Sequence, residues 1–336
     1  MSTVAPVPSA PGTPPALLTV RGLTTEVKGP DASWFPVVRE VDLEIPEGRT
    51  LGVAGESGSG KTMLALTILG LLPQSGVRVA AGRVDLDGTD LIRASAKQIR
   101  VLLGRRMSAV FQDPLTSLNP LFTVGEQISE AIRRHGDVTR RAASIRAGEL
   151  LESVHIDNVA RRLRAYPHEL SGGQRQRAAI AIAIANEPAL LIADEPTTAL
   201  DVTVQADILD LLAELQRRMG MAMLFITHDL GVARDIADRV VVMYAGGIME
   251  EAGTEELAED PAHPYTRRLM SCAPRLGHRG ELRPIPGMPP ALDHLPPGCP
   301  FADRCDVVTA GCRVDKVELT PVGDRRVACI RPGARP

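Results

Sequence analysis

The 336-residue sequence predicts an α/β domain with a mainly parallel core sheet, an antiparallel β edge, an inserted helical lobe and a small C-terminal extension. Three observations carry this. Short aliphatic runs, each closed by a turn, alternate with helical stretches. A stretch over about residues 114–185 reads as almost wholly helical and interrupts the alternation. Beyond residue 260 proline becomes frequent and cysteines cluster, as in "RPIPGMPPALDHLPPGCP".

The elements follow in order. The opening "MSTVAPVPSAPGTPPALL" is Pro-rich and lacks a charged leader, so residues 1–16 read as a disordered tail. "LLTVRGLTTEV" and "VVREVDLEI" alternate and read as the antiparallel edge. "LGVAG" at 51–55, "ALLIADE" at 189–195, "AMLFITH" at 222–228 and "VVVMYAG" at 240–246 are too apolar for a half-exposed strand. They read as core strands buried on both faces. Val202 to Arg218 reads as a helix between two of them. The main domain is placed at 17–260, and the extension at 261–336, opening with a short helix in "HPYTRRLM".

Composition narrows the function. Hydrophobic residues make up 44% and aromatics only 3%, so the core is aliphatic. A net charge of −3 gives no bulk basicity and argues against a nucleic-acid partner. Charge is uneven, with 15 Lys/Arg against 8 Asp/Glu over residues 93–177, and 4 against 16 over residues 187–260. The longest purely apolar stretch, Ala178–Ala185, is far short of the ~20 residues that span a bilayer. A soluble cytosolic protein is expected, with its 5 cysteines outside structural disulfides.

Two glycine-rich turns carry the chemistry. "GESGSGKT", Gly55, Glu56, Ser57, Gly58, Ser59, Gly60, Lys61 and Thr62, lies between a strand and a helix and fits the P-loop pattern. Its glycines let backbone N–H groups converge on phosphates at a helix N-terminus. Lys61 is placed to reach the β- and γ-phosphates, and Thr62 to ligate Mg²⁺. Asp194 ends an apolar strand, where its carboxylate can join the Mg²⁺ shell. Glu195 follows as the candidate to orient and deprotonate water. The second turn, "LSGGQ", enters another helix about 110 residues after the first. A chain with two anion cradles of this kind needs a reason for the second.

The P-loop, "LSGGQ", "LLIADEP", "ALD" and "ITHD", in this order and spacing, resemble the ATPase subunits of ABC transporters. The resemblance covers about residues 17–260. It implies head-to-tail pairing of two ATPase domains, with each ATP held between the P-loop of one and the signature loop of the other. Ser171, Gly172, Gly173 and Gln174 are then expected to serve a nucleotide held by another chain. It further implies that Gln112 in "VFQDP" touches Mg²⁺ and the attacking water and hinges the helical lobe. His228 is expected to contact the γ-phosphate, and Asp201 to bridge the protomers. An aromatic residue usually stacks on adenine in this family. Val27 stands at the aligned position, with Trp34 or Phe35 as substitutes from the following loop.

"VFQDPLTSLNPLFTVGEQI", "YPHELSGGQRQR", "HPYTRRLM", "PIPGMPP" and "GCPFADRC" resemble the importers of di- and oligopeptides, a branch that includes nickel uptake. That resemblance implies a second ATPase subunit, usually a distinct chain, two transmembrane permease subunits and, indirectly, an extracytoplasmic solute-binding protein. The chain is then peripheral, on the cytoplasmic face of the cell membrane. Cys299, Cys305, Cys312 and Cys329 are separated by five, six and sixteen residues, which is not a zinc CxxC…CxxC spacing. The resemblance implies a [4Fe–4S] cluster, with zinc or unliganded thiols as the alternatives. The rival functions are an importer ATPase for nickel or another solute, and a non-transport ATPase of the same superfamily.

Overall fold

A computed structural model describes residues 15–112, 117–198, 200–272 and 284–335. Most of the expected N-terminal tail lies outside them. Its last residue does not behave as a tail, because Ala16 already begins a strand.

The antiparallel edge is a sheet of its own. β1 (Ala16–Lys28) and β2 (Trp34–Pro46) pair antiparallel, and β4 (Val77–Leu86) and β5 (Thr89–Asp90) complete the order β2-β1-β4-β5. The core sheet contains β3 (Thr50–Ala54), β6 (Met107–Val110), β7 (Leu190–Asp194), β8 (Ala222–Thr227) and β9 (Arg239–Tyr244). These five run parallel in the order β9-β3-β8-β7-β6. Every residue of β3, β7 and β8 is buried, which is why their sequences are unbroken apolar runs rather than alternating ones.

Helix α1 (Lys61–Leu69) fills the space between the sheets, with Leu64 and Ile68 joining Val20, Leu43 and Leu224 in one core. α2 (Ala96–Leu102) follows β5. The expected helical lobe contains α3 (Val124–His135), α4 (Arg140–Ser153), the short α5 (Val159–Arg162) and α6 (Gly172–Ala183). Ile128, Leu151 and Ile180 from this lobe share a core with Leu191 of β7 and Leu212 of α7 (Val202–Met219). Residues 113–116, which follow Gln112, lie outside the described residues.

The C-terminal part is not hung from the domain but built into its sheet. β10 (Gly247–Gly253) pairs with β9, β12 (Arg325–Val327) pairs with β10, and β11 (Thr320–Val322) closes the edge, all antiparallel. α8 (Leu230–Ile236), α9 (Thr254–Glu259) and α10 (Pro264–Cys272) pack nearby, and α11 (Gly311–Val314) is a single turn. Buried Glu250 of β10 accepts the backbone N–H groups of Ala262 (2.8 Å) and His263 (2.9 Å), fixing the approach to α10. A segment with little core of its own thus shares that of the cassette. Tyr244, Tyr265 and Phe301 meet with ring centroids 4.7, 5.2 and 5.4 Å apart.

Candidate active site

The parallel strands place the site. In the ladder Ala54 of β3 is level with Thr227 of β8, and Asp194 of β7 is level with Ile226. The P-loop leaves β3, Glu195 follows β7 and His228 follows β8, so all three emerge at one carboxyl edge of the sheet. In open α/β folds that edge is where ligands bind.

The P-loop wraps tightly into α1. Gly60 caps the helix at φ +99°, and a Cβ there would stand 2.4 Å from the Val37 carbonyl oxygen, so no side chain fits. Lys61 is 4% exposed, and its ammonium donates to the carbonyls of Gly55 (2.8 Å) and Glu56 (3.0 Å). Burial pulls its pKa below the usual lysine value, against the opposing pull of Glu195, Asp194 and Glu56.

Asp194 is buried, and its Oδ1 has no hydrogen-bond partner. Burial raises its pKa, opposed by a hydrogen bond with the Thr62 side chain. An orphaned buried carboxylate oxygen beside a hydroxyl and near an ammonium is costly unless a cation completes it. These residues fit Mg²⁺.

Glu195 adopts φ +48°, a strained conformation for a residue with a side chain. Its N–H donates to the Ile226 carbonyl (2.9 Å), which ties the turn to β8. The carboxylate accepts from Thr198 Oγ1 (2.9 Å) and lies 3.2 Å from His228 Nδ1. His228 is mostly exposed while Glu195 is largely covered, so the pair has a fixed base and an accessible imidazole. Gln112 stands exposed just beyond β6 at the same edge.

The signature loop is elsewhere. Ser171 caps α6, accepting from Gln174 N (3.3 Å), while Gln174 Oε1 accepts from Ser171 N (3.3 Å). Ser171 and Gly172 are exposed, and a Cβ on Gly173 would stand 2.7 Å from Val204 Cγ1. Among the described residues no hydrogen bond or ion pair joins this loop to the P-loop. Asp201 caps α7, its Oδ1 accepting from Val204 N (3.0 Å), and is exposed. Val27 pairs with Phe35 and Lys28 with Trp34 in the β1–β2 ladder. Trp34 therefore lies in a strand and not in the following loop, and its ring carries the Arg78 guanidinium at 4.2 Å.

Two residues that sequence reasoning left out hold the P-loop from the C-terminal side. Tyr265 Oη accepts from Glu56 N (2.9 Å). Arg304 donates to both Glu56 carboxylate oxygens, at 2.6 and 3.0 Å, and to Tyr244 Oη at 3.2 Å. The available signal was a carboxylate inside a phosphate loop, which calls for a counter-charge, with an arginine in "FADRC" among the residues that could supply it.

Cys299, Cys305, Cys312 and Cys329 line one cavity together with His263, Phe301 and Val317. Among the described residues these four cysteines form no disulfide. Burial pushes the Cys299 thiol up to about 11 and raises Cys305 and Cys329, and the neighbouring cysteines add to each. Among the described residues no three His, Cys, Asp or Glu side chains form a group that could hold a metal ion.

The comparisons with known proteins agree with this geometry. A family model described as ABC transporter matches residues 38–198, and one described as oligopeptide/dipeptide transporter, C-terminal region, matches residues 249–312. A probable peptide ABC transporter ATP-binding protein of Sinorhizobium fredii is 49% identical, covering 94% of this chain and 92% of that protein. The chain belongs to the ATP-binding proteins of ABC transporters. As an ABC ATPase it binds and hydrolyses ATP. The dipeptide transport ATP-binding protein DppD of Haemophilus influenzae is 43% identical over 94% of the chain and 96% of its own length. The oligopeptide transport ATP-binding protein OppD of Mycobacterium tuberculosis is 50% identical, but the ABC ATPase spans only 50% of that protein. Among solved structures, a dimeric ATP-binding cassette in a post-hydrolysis state, bound to ADP and Pi, superposes with a TM-score of 0.63. It is 28% identical and covers 70% of this chain and 98% of its own.

Proposed function

We propose that this ABC ATPase energises a peptide importer by pairing head to tail with a second ATPase on the cytoplasmic face of the membrane. The observation that supports this most is the separation of the two cradles. Lys61, Asp194, Glu195 and His228 gather at one sheet edge, while Ser171–Gln174 cap another helix and face outward. A signature loop so placed is suited to complete a phosphate site on another chain. ATP then works as the adhesive, and hydrolysis releases the pair. Peptides as the solute rest on the named relatives and on the matched C-terminal region. The partner ATPase is read as a distinct chain, with two permease subunits and an extracytoplasmic solute-binding protein completing the importer.

Within the site, the P-loop amides and Lys61 bind the β- and γ-phosphates. Thr62, Asp194 and Gln112 would hold Mg²⁺, which neutralises charge on the phosphate oxygens when bound. Glu195 accepts a proton from the attacking water, and His228, steadied by Glu195, faces the γ-phosphate. Cys299, Cys305, Cys312 and Cys329 would hold the [4Fe–4S] cluster, which would staple the extension. That assignment rests on the resemblance, since the four thiols share one cavity but, among the described residues, no three His, Cys, Asp or Glu side chains form a group that could hold a metal ion. Anaerobic purification tests this, and a folded protein lacking both iron and acid-labile sulfide ends the cluster assignment.

The function is tested with Glu195→Gln. ATP turnover should fall by about two to four orders of magnitude, in the range of general-base contributions. ATP should still drive pairing with the partner ATPase, read by size-exclusion chromatography. Near wild-type turnover would refute the base, and peptide uptake independent of this subunit would refute the role in import.

A further inference from the structure

Glu56 places a negative charge in the loop that receives a triphosphate. Left alone it would repel the ligand. It is not left alone. The Arg304 guanidinium, 6% exposed, makes a two-pronged pair with the Glu56 carboxylate, which is 23% exposed. Arg304 is itself held by the Pro286 carbonyl (2.9 Å) and lies 5.7 and 5.9 Å from the ring centres of Tyr244 and Phe301. Its posture is therefore set before any nucleotide arrives. Tyr265 fixes the Glu56 amide and Lys61 the Glu56 carbonyl, so the residue is gripped at backbone and side chain alike.

We infer that Arg304 is a positioning residue of the ATP site, neutralising Glu56 and holding the P-loop open to phosphate, so that ATP affinity depends on the C-terminal extension. Arg304 ends the turn Ala302–Arg304, between Cys299 and Cys305 of the thiol cavity. Cys299 N donates to the Cys312 carbonyl (2.7 Å), which ties that turn to α11. The same turn thus serves the cavity and the nucleotide loop. The inference rests on the nucleotide-site assignment, which ATP binding by the wild-type chain tests separately.

The experiment measures ATP affinity of the full-length chain by fluorescent-nucleotide titration, with thermal melts to check folding. Arg304→Gln exposes the carboxylate to the triphosphate and should weaken ATP binding about tenfold, since charges several ångströms apart near a protein surface interact at that scale. Glu56→Gln should act with the opposite sign, tightening ATP about threefold, because it leaves a cation beside the phosphates. The double variant should recover most of the affinity lost by Arg304→Gln. If the pair merely braces the fold, both single variants weaken binding alike and the double variant is no better. Either result overturns the inference. Should Arg304→Gln fail to fold, the sign of the Glu56→Gln effect decides alone.

Discussion

At the entrance to α1 the lysine is 4% exposed and already bonded to two loop carbonyls. At the entrance to α6, Ser171 stands exposed, and its hydroxyl is spent on capping its own helix. Both turns are glycine-rich, and both contain glycine positions that bar a side chain. At Gly60 the obstacle is the backbone of β2, and at Gly173 it is the side chain of Val204 in α7. The first cradle is thus a finished socket. Sheet, α1 and extension hold it, and its buried Asp194 Oδ1 has no hydrogen-bond partner in the protein. The second is an exposed helix start whose 3.3 Å bond from Gln174 N to Ser171 Oγ equals the bonds that start α2 and α3. The first serves its own ligand; under the proposed pairing the second serves a neighbour's.

The sharpest break of that contrast is Ser171→Arg. A bulky cation at the outward cradle should cut turnover of the paired assembly by about two orders of magnitude, the scale of losing donors aimed at transferring phosphate. The isolated chain should bind ATP as before, because among the described residues no hydrogen bond or ion pair joins Ser171 to the P-loop. Nucleotide titration of the single chain beside phosphate release from the pair measures both. Equal losses in the two assays would mean that the loop serves its own nucleotide, and the contrast would fall.

Much of the first socket was legible from sequence because its parts are local. Strand, glycine turn and helix are contiguous at 50–69, and "LLIADE" carries Asp194 and Glu195 on one strand end. The Glu195–His228 contact was not legible, because it depends on the side-by-side placement of the strands that precede the two residues. Nor was the grip from far along the chain. Arg304 lies 248 residues from Glu56, and a mostly irregular Pro-rich segment gives no periodicity that places it. The extension read as an appendix for the same reason. Strands of three residues are too short to announce themselves, so the pairing of β12 with β10 was invisible.

The grip can be loosened by acid. His263 is fully buried, its Nδ1 accepts from Tyr265 N (3.0 Å), and burial depresses its pKa to about 3 from 6.5. The unfolded chain therefore binds the extra proton first. His263 contributes stability that is complete above pH ~6.5 and is lost as pH falls toward ~3, on the order of 2 kcal/mol by pH 5. Buried Glu250, whose pKa burial raises, opposes this slope in wild type and variant alike. In urea unfolding, His263→Gln should be the weaker protein at pH 8. Its deficit should shrink by about 2 kcal/mol at pH 5. An unchanged deficit would mean that His263 does not titrate on unfolding. A shrinking deficit accompanied by weaker ATP binding at pH 5, in wild type only, would show that the first socket depends on this part of the extension.

The smallest effect separates two roles of one residue beside the second cradle. Asp201 caps α7, the helix whose Val204 packs against Gly173, and its carboxylate is exposed. Asp201→Ala removes the cap and should cost about 1 kcal/mol, whereas Asp201→Asn keeps a side-chain oxygen of nearly equal capping strength and should cost almost nothing. A bridging role between protomers requires the charge and not the cap. Under that role the asparagine variant, as stable as wild type in urea, should still lose turnover in the paired assembly. It should pair less tightly in ATP as well. If asparagine behaves as wild type in every assay, Asp201 only starts a helix, and the outward face near Ser171 carries one less contact to the neighbouring chain.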